Sequence, residues 1–397
     1  MKRKIFDEEH EMFRDSVRSF MQKEIQPHRD RWHEAGIVDR DAYLKAGEMG
    51  LLLMWADEKY GGAGVPDFRY EQILLEENMR YGDPGFFMTL HNRLVGPYLG
   101  ELGTEEQKQR WLPKCISGEH ILAVAITEPG AGSDVAAIRT RVEDKGDHYL
   151  LNGSKTYISN GILADLVVVV ARTDPDTGHG LGLFVVERGM DGFERGRNLK
   201  KMGLKSQDTA ELFFNNVKVP KENLLGQFNR GFYHLMHFLA EERLLGSVQY
   251  LATSNTAFDI TMDYIKERKA FGQTIADFQN TRFKMADMRM QIDVAQSFVD
   301  QCVLEHNEGQ LSANDAAKAK LFTSELEGRI MDDCVQLHGG AGYMDEYPIC
   351  RMYLNARISR IYAGTSEVMR EIIARSIGLD PRKKKPGIVN KEQASAA

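Results

Sequence analysis

Two short stretches of the sequence carry residue types whose spacing could support chemistry. Residues 127–134 read Thr-Glu-Pro-Gly-Ala-Gly-Ser-Asp and combine a hydroxyl, a rigid turn and two permissive glycines. Backbone N–H groups of such a turn can approach a phosphate or a flavin ring, although the same pattern also suits an ordinary tight turn. The second stretch, Glu241-Glu242-Arg243, holds a carboxylate pair that could supply a general base or could form a solvated helix face.

The elements around these stretches predict an order of helices, then strands, then helices. Phe13, Val17 and Phe20 recur at helical spacing, and residues 232–379 contain long helical patterns suited to a bundle. Four short β-rich pieces separated by Gly, Asn and Asp turns predict a small all-β unit, over 149–151, 166–170, 183–186 and 210–214. We therefore predict an α+β multidomain fold with an N-terminal helical domain (1–120), a middle β domain (121–230), a C-terminal helical bundle (231–380) and a tail (381–397).

One helix of the last region has clear predicted limits. Ser312 is a good N-cap with Asp315 three residues later, and Gly339-Gly340 ends the helix. Its apolar stripe is predicted to be buried at Ala319, Phe322, Leu326, Ile330, Cys334 and Leu337. No strand–helix alternation is present, and Gly130-Ala131-Gly132 lacks the third glycine of a dinucleotide fingerprint, so a Rossmann domain is disfavoured.

The bulk composition favours a small-molecule ligand. The chain has 397 residues and a formal net charge of -7, which argues against a nucleic-acid partner. The most apolar runs, 49–56 and 166–171, are far shorter than the ~20 residues that span a bilayer, so we predict no membrane span. No metal site is predicted, because Cys115, Cys302, Cys334 and Cys350 are far apart and show no C-x-x-C spacing.

The N-terminus shows no cleavable targeting signal. Residues 1–4 are basic, but Asp7, Glu8 and Glu9 follow where a signal peptide needs an apolar stretch and a transit peptide avoids acids. We expect a protein that is not secreted, and that is cytoplasmic if bacterial or in the mitochondrial matrix if it is a processed eukaryotic form. The basic run Arg382 to Lys385 is expected to be a solvated C-terminus, with contact to an anionic surface as the alternative.

As a string, residues 127–134 resemble the signature of the acyl-CoA dehydrogenases. Four further strings occur in the same order as in that family, and the resemblance runs from about Phe6 to Leu379: Met202-Gly203-Leu204-Lys205, Arg268-Lys269-Ala270-Phe271-Gly272, Gln336-Leu337-His338-Gly339-Gly340 and Tyr362-Ala363-Gly364-Thr365-Ser366-Glu367. The resemblance implies the family's fold, with a helical domain, a β-barrel and a four-helix bundle. It also implies bound FAD, an acyl-CoA substrate, an electron-transfer flavoprotein as electron acceptor and a homotetramer.

The resemblance assigns cofactor contacts string by string. It implies that four residues of the first string line the flavin and that Tyr157 and Ser159 lie over its face and near its reactive nitrogen. Other residues would hold the pyrophosphate and adenine side or reach the FAD of a neighbouring subunit. The complete set implied for FAD is Ile126, Thr127, Gly132, Ser133, Tyr157, Ile158, Ser159, Arg268, Phe271, Gln279, Gln336, Leu337, His338, Gly339, Gly340, Thr365, Ser366 and Glu367.

The position of the base departs from the commonest family pattern. In much of the family a glutamate lies between the Tyr and Gly of the last string, but here that position is Ala363. The long-chain and isovaleryl-CoA dehydrogenases instead place the base on the first long helix of the bundle, just before an arginine, and Glu242 occupies that place. The resemblance therefore predicts Glu242 as the catalytic base, with a basicity raised by desolvation.

The same resemblance implies the residues near the acyl-CoA. The backbone N–H of Ala363 would help to polarise the thioester carbonyl, as a donor in an oxyanion hole. The set implied for the substrate is Ser133, His179, Tyr233, Glu241, Glu242, Arg243, Ala363 and Gly364.

The sequence leaves the substrate and some alternatives open. Several strings read most like the long-chain enzymes, which favours β-oxidation of medium- or long-chain acyl-CoA, whereas Ala363 to Val368 read like the isovaleryl enzymes. The alternatives are a branched- or short-chain dehydrogenase of amino-acid catabolism, a flavin oxidase or monooxygenase of the same fold, and a non-catalytic acyl-CoA-binding protein.

Overall fold

The computed structural model describes residues 3–380, and its first part is helical. The helices are α1 (Glu8–Phe20), α2 (Arg29–Ala35), α3 (Arg40–Glu48), α4 (Phe68–Tyr81), α5 (Gly96–Leu102) and α6 (Glu105–Ile116), with π-helical turns at Met21–Ile25 and Leu90–Val95. Helix α1 begins after Asp7, whose side chain accepts a hydrogen bond from the His10 amide, and it buries Val17 and Phe20 as the spacing predicts. The basic run Arg382 to Lys385 lies outside the described residues.

The middle part is one eight-stranded sheet that includes all four predicted β-rich pieces. Its strands are β1 (Leu122–Ala125), β2 (Arg141–Asp144), β3 (His148–Ser159), β4 (Leu166–Arg172), β5 (Leu181–Glu187), β6 (Phe193–Asn198), β7 (Thr209–Pro220) and β8 (Leu224–Leu225). They are ordered β6-β7-β3-β2-β4-β5-β8, and β1 pairs in parallel with β4. The predicted barrel is wrong in this respect: within the described residues β6 and β8 end the sheet unpaired to each other, so the sheet is open.

The last part is helical again and is built around one very long helix of 37 residues, which packs against two other long helices. It contains α7 (Gly231–Glu267), a short hairpin of β9 (Lys269–Ala270) and β10 (Gln273–Thr274), α8 (Gln279–Asn307), α9 (Ala313–His338), α10 (Pro348–Ala356) and α11 (Ser366–Ser376). Helices α7, α8 and α9 pack on one another, and α10 and α11 pack against α9.

The predicted limits of α9 are confirmed, but its buried face is slightly rotated. The Ser312 side chain accepts a hydrogen bond from the Asp315 amide, and the helix stops at Gly339 with a positive φ of 59°. Phe322, predicted to be buried, is half-exposed, whereas the polar residues Lys320 and Thr323 are buried. A periodicity search weights apolar residues only, so it missed the polar side chains that this face buries.

Helix α7 passes from one hydrophobic core into another. Its residues Leu235 and Phe238 belong to a core shared by the N-terminal helices and one face of the sheet. Leu244 and Leu245 belong to a second core, formed by the C-terminal helices with α4. Glu242 therefore lies where the two cores meet. None of the helices within residues 3–380 combines the length and apolarity that crossing a bilayer requires.

Candidate active site

The ends of β1 and β3 bring two predicted cofactor segments together. The Thr156 amide donates to the carbonyl of Thr127 at 2.9 Å, and Nζ of Lys155 donates to the carbonyl of Ile126, also at 2.9 Å. Tyr157 is 70% exposed, beside these contacts. The Ile158 side chain instead packs in the sheet core, which leaves only its backbone to contact a ligand. The segments 126–127 and 155–157 thus lie side by side and form one continuous surface, called the ledge below.

A buried ion pair holds this ledge from below. Nζ of Lys155 lies 2.9 Å from Oε1 of Glu128, and the Glu128 carboxylate also accepts hydrogen bonds from the amides of Arg139 and Thr140. Burial alone would raise the pKa of Glu128, but the charge of Lys155 and these hydrogen bonds outweigh it and lower that pKa. Burial in turn lowers the pKa of Lys155 to about 8, so both partners stay charged at neutral pH.

The glycine-rich segment is a tight turn with open space beside it. The amides and carbonyls of Glu128 and Ala131 are paired in both directions, at 2.9 and 3.1 Å. Apart from the two chain neighbours of Gly132, no atom of residues 3–380 lies within 4 Å of the place where a Cβ on that glycine would stand, and Ser133 is exposed. A flat ligand could therefore approach this backbone closely.

The predicted substrate residues His179 and Tyr233 lie together near this turn. The His179 ring stacks on Phe232 with centroids 4.2 Å apart and is 6.3 Å from the Tyr233 ring. The guanidinium of Arg172 donates to the carbonyls of Ala136 and Thr177, so it ties the loop that carries His179 to the segment that follows Ser133. Strand β4 thereby positions both loops.

Backbone strain is concentrated at predicted site residues. In residues 3–380, five residues other than glycine and asparagine have a positive φ: Leu53, Tyr157, Leu204, Phe271 and Ala363. Three of the five, with φ of 60°, 52° and 52°, are positions that the family resemblance assigns to FAD or substrate: Tyr157, Phe271 and Ala363. Left-handed backbone at residues other than glycine is costly and is enriched at functional sites, so this observation supports those positions independently of the resemblance.

Glu242 is a buried acid with a neutral partner. It is 8% exposed, and its Oε1 accepts a hydrogen bond from the Tyr98 hydroxyl at 3.3 Å. Burial raises the pKa of Glu242 to about 7, and the Tyr98 hydrogen bond and the charge of Arg243 only partly oppose this. A carboxyl group with a pKa near 7 is a stronger base than a solvated one and is still substantially ionised at neutral pH.

The two neighbours of Glu242 on α7 are also withdrawn from water. Oε1 of Glu241 lies 3.6 Å from Nη1 of Arg93, and Oε2 lies 3.6 Å from Nε2 of His306. Burial raises the pKa of Glu241 to about 7, against the charge of Arg93. Nε of Arg243 is buried without a hydrogen-bond partner among the described residues. Two acids and an arginine therefore share one dry segment of α7.

A buried lysine supports the turn that holds Ala363. Nζ of Lys320, on α9, donates to the carbonyl of Gly364 at 2.5 Å. Burial, followed by the charge of Arg243, lowers the pKa of Lys320 to about 8. The Thr365 side chain then caps α11 by accepting from the Val368 amide, while Ser366 is buried and Glu367 is exposed. The strained turn is thus fixed from both sides.

The remaining predicted cofactor residues lie far from Glu242 within one chain. Arg268, Phe271 and Gln279 are exposed around the β9–β10 hairpin, and Gln336, Gly339 and Gly340 are exposed at the end of α9. Tyr264 joins the two groups, because its ring stacks on His338 at 4.2 Å and its hydroxyl donates to the carbonyl of that residue at 3.2 Å. Leu337 is partly buried.

The length of α7 gives the distance between Glu242 and the hairpin residues. Arg268 follows Glu242 by 26 positions, which span about 39 Å at a rise of 1.5 Å per residue. One chain does not bring these two groups of residues together.

Sequence reasoning missed three buried polar residues that support the site. The signal for Lys155 was its place in β3, where it lies an even number of residues from the inward-facing Tyr149 and Leu151 and therefore shares their face. Lys320 lies one residue from Ala319 on the buried face of α9. No local sequence pattern pointed to Tyr98, because its partner Glu242 is 144 residues away in the sequence.

The chain matches three family models in sequence order. The N-terminal domain of acyl-CoA dehydrogenase matches residues 7–119, the middle domain matches 123–217, and the C-terminal domain matches 229–378.

Individual relatives extend these matches to nearly the whole chain. A mitochondrial long-chain specific acyl-CoA dehydrogenase of Mus musculus is 46% identical over 381 residues, which cover 95% of this chain and 88% of that protein. A mitochondrial isovaleryl-CoA dehydrogenase of Solanum tuberosum is 37% identical and covers 94% of this chain and 91% of its own length. The crystal structure of an acyl-CoA dehydrogenase from Geobacillus kaustophilus has a TM-score of 0.93 at 46% identity, over 95% of this chain and 100% of that chain. This chain belongs to the acyl-CoA dehydrogenase family and is an oxidoreductase.

Proposed function

We propose that the protein oxidises fatty acyl-CoA thioesters to trans-2-enoyl-CoA in β-oxidation, with medium or long chains as substrates. The observation that carries the proposal is the buried Glu242 carboxyl, whose pKa burial raises to about 7. The proposed length of the substrate's acyl chain is supported by the 46% identity of the protein to a long-chain specific relative. The reaction removes a proton from the α carbon and a hydride from the β carbon, and the acceptor of the proton must be a base inside the site.

Glu242 is proposed as that base. The carboxylate is largely excluded from water, which makes it a stronger base toward the α proton. The neighbouring Arg243 keeps part of the carboxyl population ionised, because its positive charge favours the charged form of Glu242. Ala363 has no side chain that could replace Glu242 in this role.

The residues around the ledge fit FAD. The ledge offers a tight turn with free space at Gly132, and the exposed ring of Tyr157 is held in strained backbone with no packing of its own to explain it. Ile126, Thr127, Ser133 and Ser159 would complete the hold on the flavin. When bound there, FAD would supply the acceptor for the hydride.

The Ala363-Gly364 turn is proposed to polarise the substrate. The amide N–H of Ala363 would donate to the thioester oxygen, which acidifies the α carbon that Glu242 deprotonates. The left-handed φ of Ala363 aims the peptide in a direction that a relaxed backbone would not adopt, and Lys320 fixes the following carbonyl. Ser133, His179 and Tyr233 would line the approach of the acyl-CoA.

We also propose that the enzyme is a homotetramer in which neighbouring chains complete each FAD site. Phe271 is 96% exposed in strained backbone, and its hairpin lies about 39 Å along α7 from Glu242. An exposed apolar stripe along α8, at Phe283, Met290, Val294 and Phe298, supports contact with another subunit. Arg268, Gln279 and residues 336–340 would then reach the cofactor of a neighbour.

Further proposals follow from the family. The domain limits are proposed at residues 120, 230 and 380, with α7, α8, α9 and α11 as a four-helix bundle. Electrons would pass from the reduced cofactor to an electron-transfer flavoprotein, and the enzyme would work in the bacterial cytoplasm or the mitochondrial matrix.

One experiment tests cofactor, reaction and substrate together. Purified protein, reconstituted with FAD, is mixed anaerobically with saturated acyl-CoAs of graded length and branching, and loss of flavin absorbance is recorded. Fast bleaching by medium- or long-chain substrates is expected. Preference for isovaleryl-CoA would support the branched-chain alternative, fast reoxidation by oxygen would support an oxidase, and protein that binds no FAD would overturn the proposal.

A further inference from the structure

A single hydroxyl group reaches the proposed base from the opposite side of the domain interface. Tyr98 lies on α5, in the N-terminal helical domain, and is fully buried. Its ring packs against Phe238 of α7 with centroids 4.3 Å apart, so the hydroxyl is directed along α7 toward Oε1 of Glu242 at 3.3 Å. Within the described residues the hydrogen bond that acts on the Glu242 carboxyl group is this one, at Oε1, which leaves Oε2 for another partner.

We propose that Tyr98 is a positioning residue that fixes the Glu242 carboxylate, so that Oε1 is occupied and Oε2 faces the α proton of the substrate. The inference rests on the proposed function of Glu242. A buried hydroxyl needs a partner, and Glu242 is the one that the geometry provides for Tyr98. The bond therefore orients both groups.

The direction of proton donation follows from the surroundings of Tyr98. Burial, helped by the charge of Glu242, raises the pKa of Tyr98 well above its ordinary value, so the phenol keeps its proton throughout the working pH range. An ionised carboxylate can only accept, whereas a protonated one gains less from this donor. Tyr98 thus stabilises the charged, proton-accepting form of the base.

Other charged groups near Glu242 lie on its own helix and on α9. Arg243 and Glu241 flank it on α7, and Lys320 on α9 interacts with Arg243. Glu242 receives its hydrogen bond from the neutral Tyr98 hydroxyl and not from one of these charged side chains. Removal of that hydroxyl should therefore change the titration of the base without removing a charge.

The test is the pH dependence of flavin reduction by a saturated acyl-CoA in the FAD-loaded Tyr98→Phe enzyme. At pH 6 the rate is expected to fall about tenfold, because loss of the bond raises the pKa of Glu242 and leaves less of the carboxylate ionised. At pH 9 the carboxyl group is ionised in both enzymes, so a smaller fall, of up to about threefold, reports the lost orientation. Tyr60→Phe is the matched control, since its hydroxyl also donates to a carboxylate, Oε2 of Glu105 at 2.8 Å, and it should leave the profile unchanged.

A second variant covers the case in which Tyr98→Phe fails to fold. Site-specific 3,5-difluorotyrosine at position 98 keeps the shape and is a stronger donor, so the acid limb of the profile should move to lower pH, opposite to Tyr98→Phe. Profiles that match the wild type in every folded variant would overturn the inference. If Glu242→Gln stays active, the proposed function fails; if it is inactive and the limb does not move, only the role of Tyr98 fails.

Discussion

Two buried carboxylates in different parts of this protein show how the partner of a buried acid decides its chemistry. Glu128, beside the sheet, and Glu242, on α7, are 7% and 8% exposed. Glu128 faces the ammonium of Lys155 and two backbone amides, and its pKa is lowered despite burial. Glu242 faces a tyrosine hydroxyl, and burial raises its pKa to about 7. At nearly equal exposure the partner thus decides whether the pKa of the carboxyl group is lowered, as for Glu128, or raised, as for Glu242.

The largest expected effect is on catalysis by Glu242. Glu242→Gln keeps the shape and the Tyr98 contact but cannot accept a proton, so flavin reduction should slow by about 10³-fold or more. Stopped-flow absorbance measures this rate, and FAD content should not change. Glu327→Gln is the control, because Glu327 is a second buried acid whose pKa burial raises to about 8 and it has no proposed role. Near-normal reduction by Glu242→Gln would refute the assignment.

The second effect concerns stability of the sheet. Glu128→Gln should cost about 3–5 kcal/mol, because it leaves the ammonium of Lys155 buried without its counter-charge. Thermal unfolding of the FAD-loaded protein measures the loss. Glu143→Gln in the same sheet removes one partner of a solvent-exposed pair with Lys145 and should change the midpoint little. Equal shifts in both variants would contradict the structural role given to Glu128.

The third effect is a pH-dependent stabilisation by Glu242→Gln. The folded pKa of Glu242, about 7, lies above its ordinary value, so the wild type loses stability as pH rises from about 4.5 through 7. The loss amounts to roughly 3 kcal/mol, at about 1.4 kcal/mol per pH unit between the two pKa values. Glutamine does not titrate, so the variant keeps its stability as the pH rises. Its thermal midpoint should therefore exceed that of the wild type at pH 8.5, and the difference should be much smaller at pH 5. An equal difference at both pH values would argue against a raised pKa.

The smallest effect concerns the Ala363-Gly364 turn, which is proposed to act together with Glu242. Lys320→Met removes the donor to the Gly364 carbonyl, so the strained turn should relax and flavin reduction should slow about tenfold, equivalent to about 1.4 kcal/mol. The dissociation constant for acyl-CoA should change less than the rate. Lys318→Met, two residues away in a part-exposed pair with Asp315, is the control. The role of Lys320 fails if both variants behave alike.

The order of the domains and many of the elements could be predicted from the sequence, because each depends on local patterns. Helical spacing identified α1, β-rich pieces identified β3, β4, β5 and β7, and Ser312 identified the start of α9. The closure of the sheet could not be predicted, because closure depends on which distant strands pair at the edges. The predicted contacts with FAD and substrate stay predictions.

The sequence by itself determined where a carboxyl group for the proposed base is present and where it is absent: Ala363 has none, whereas Glu242 has one just before an arginine. Only the tertiary structure decided that Glu242 can be strongly basic. Its pKa depends on two cores that exclude water and on a Tyr98 hydroxyl that arrives from another domain. The type of each side chain follows directly from the sequence, whereas its desolvation depends on all the residues that pack around that side chain.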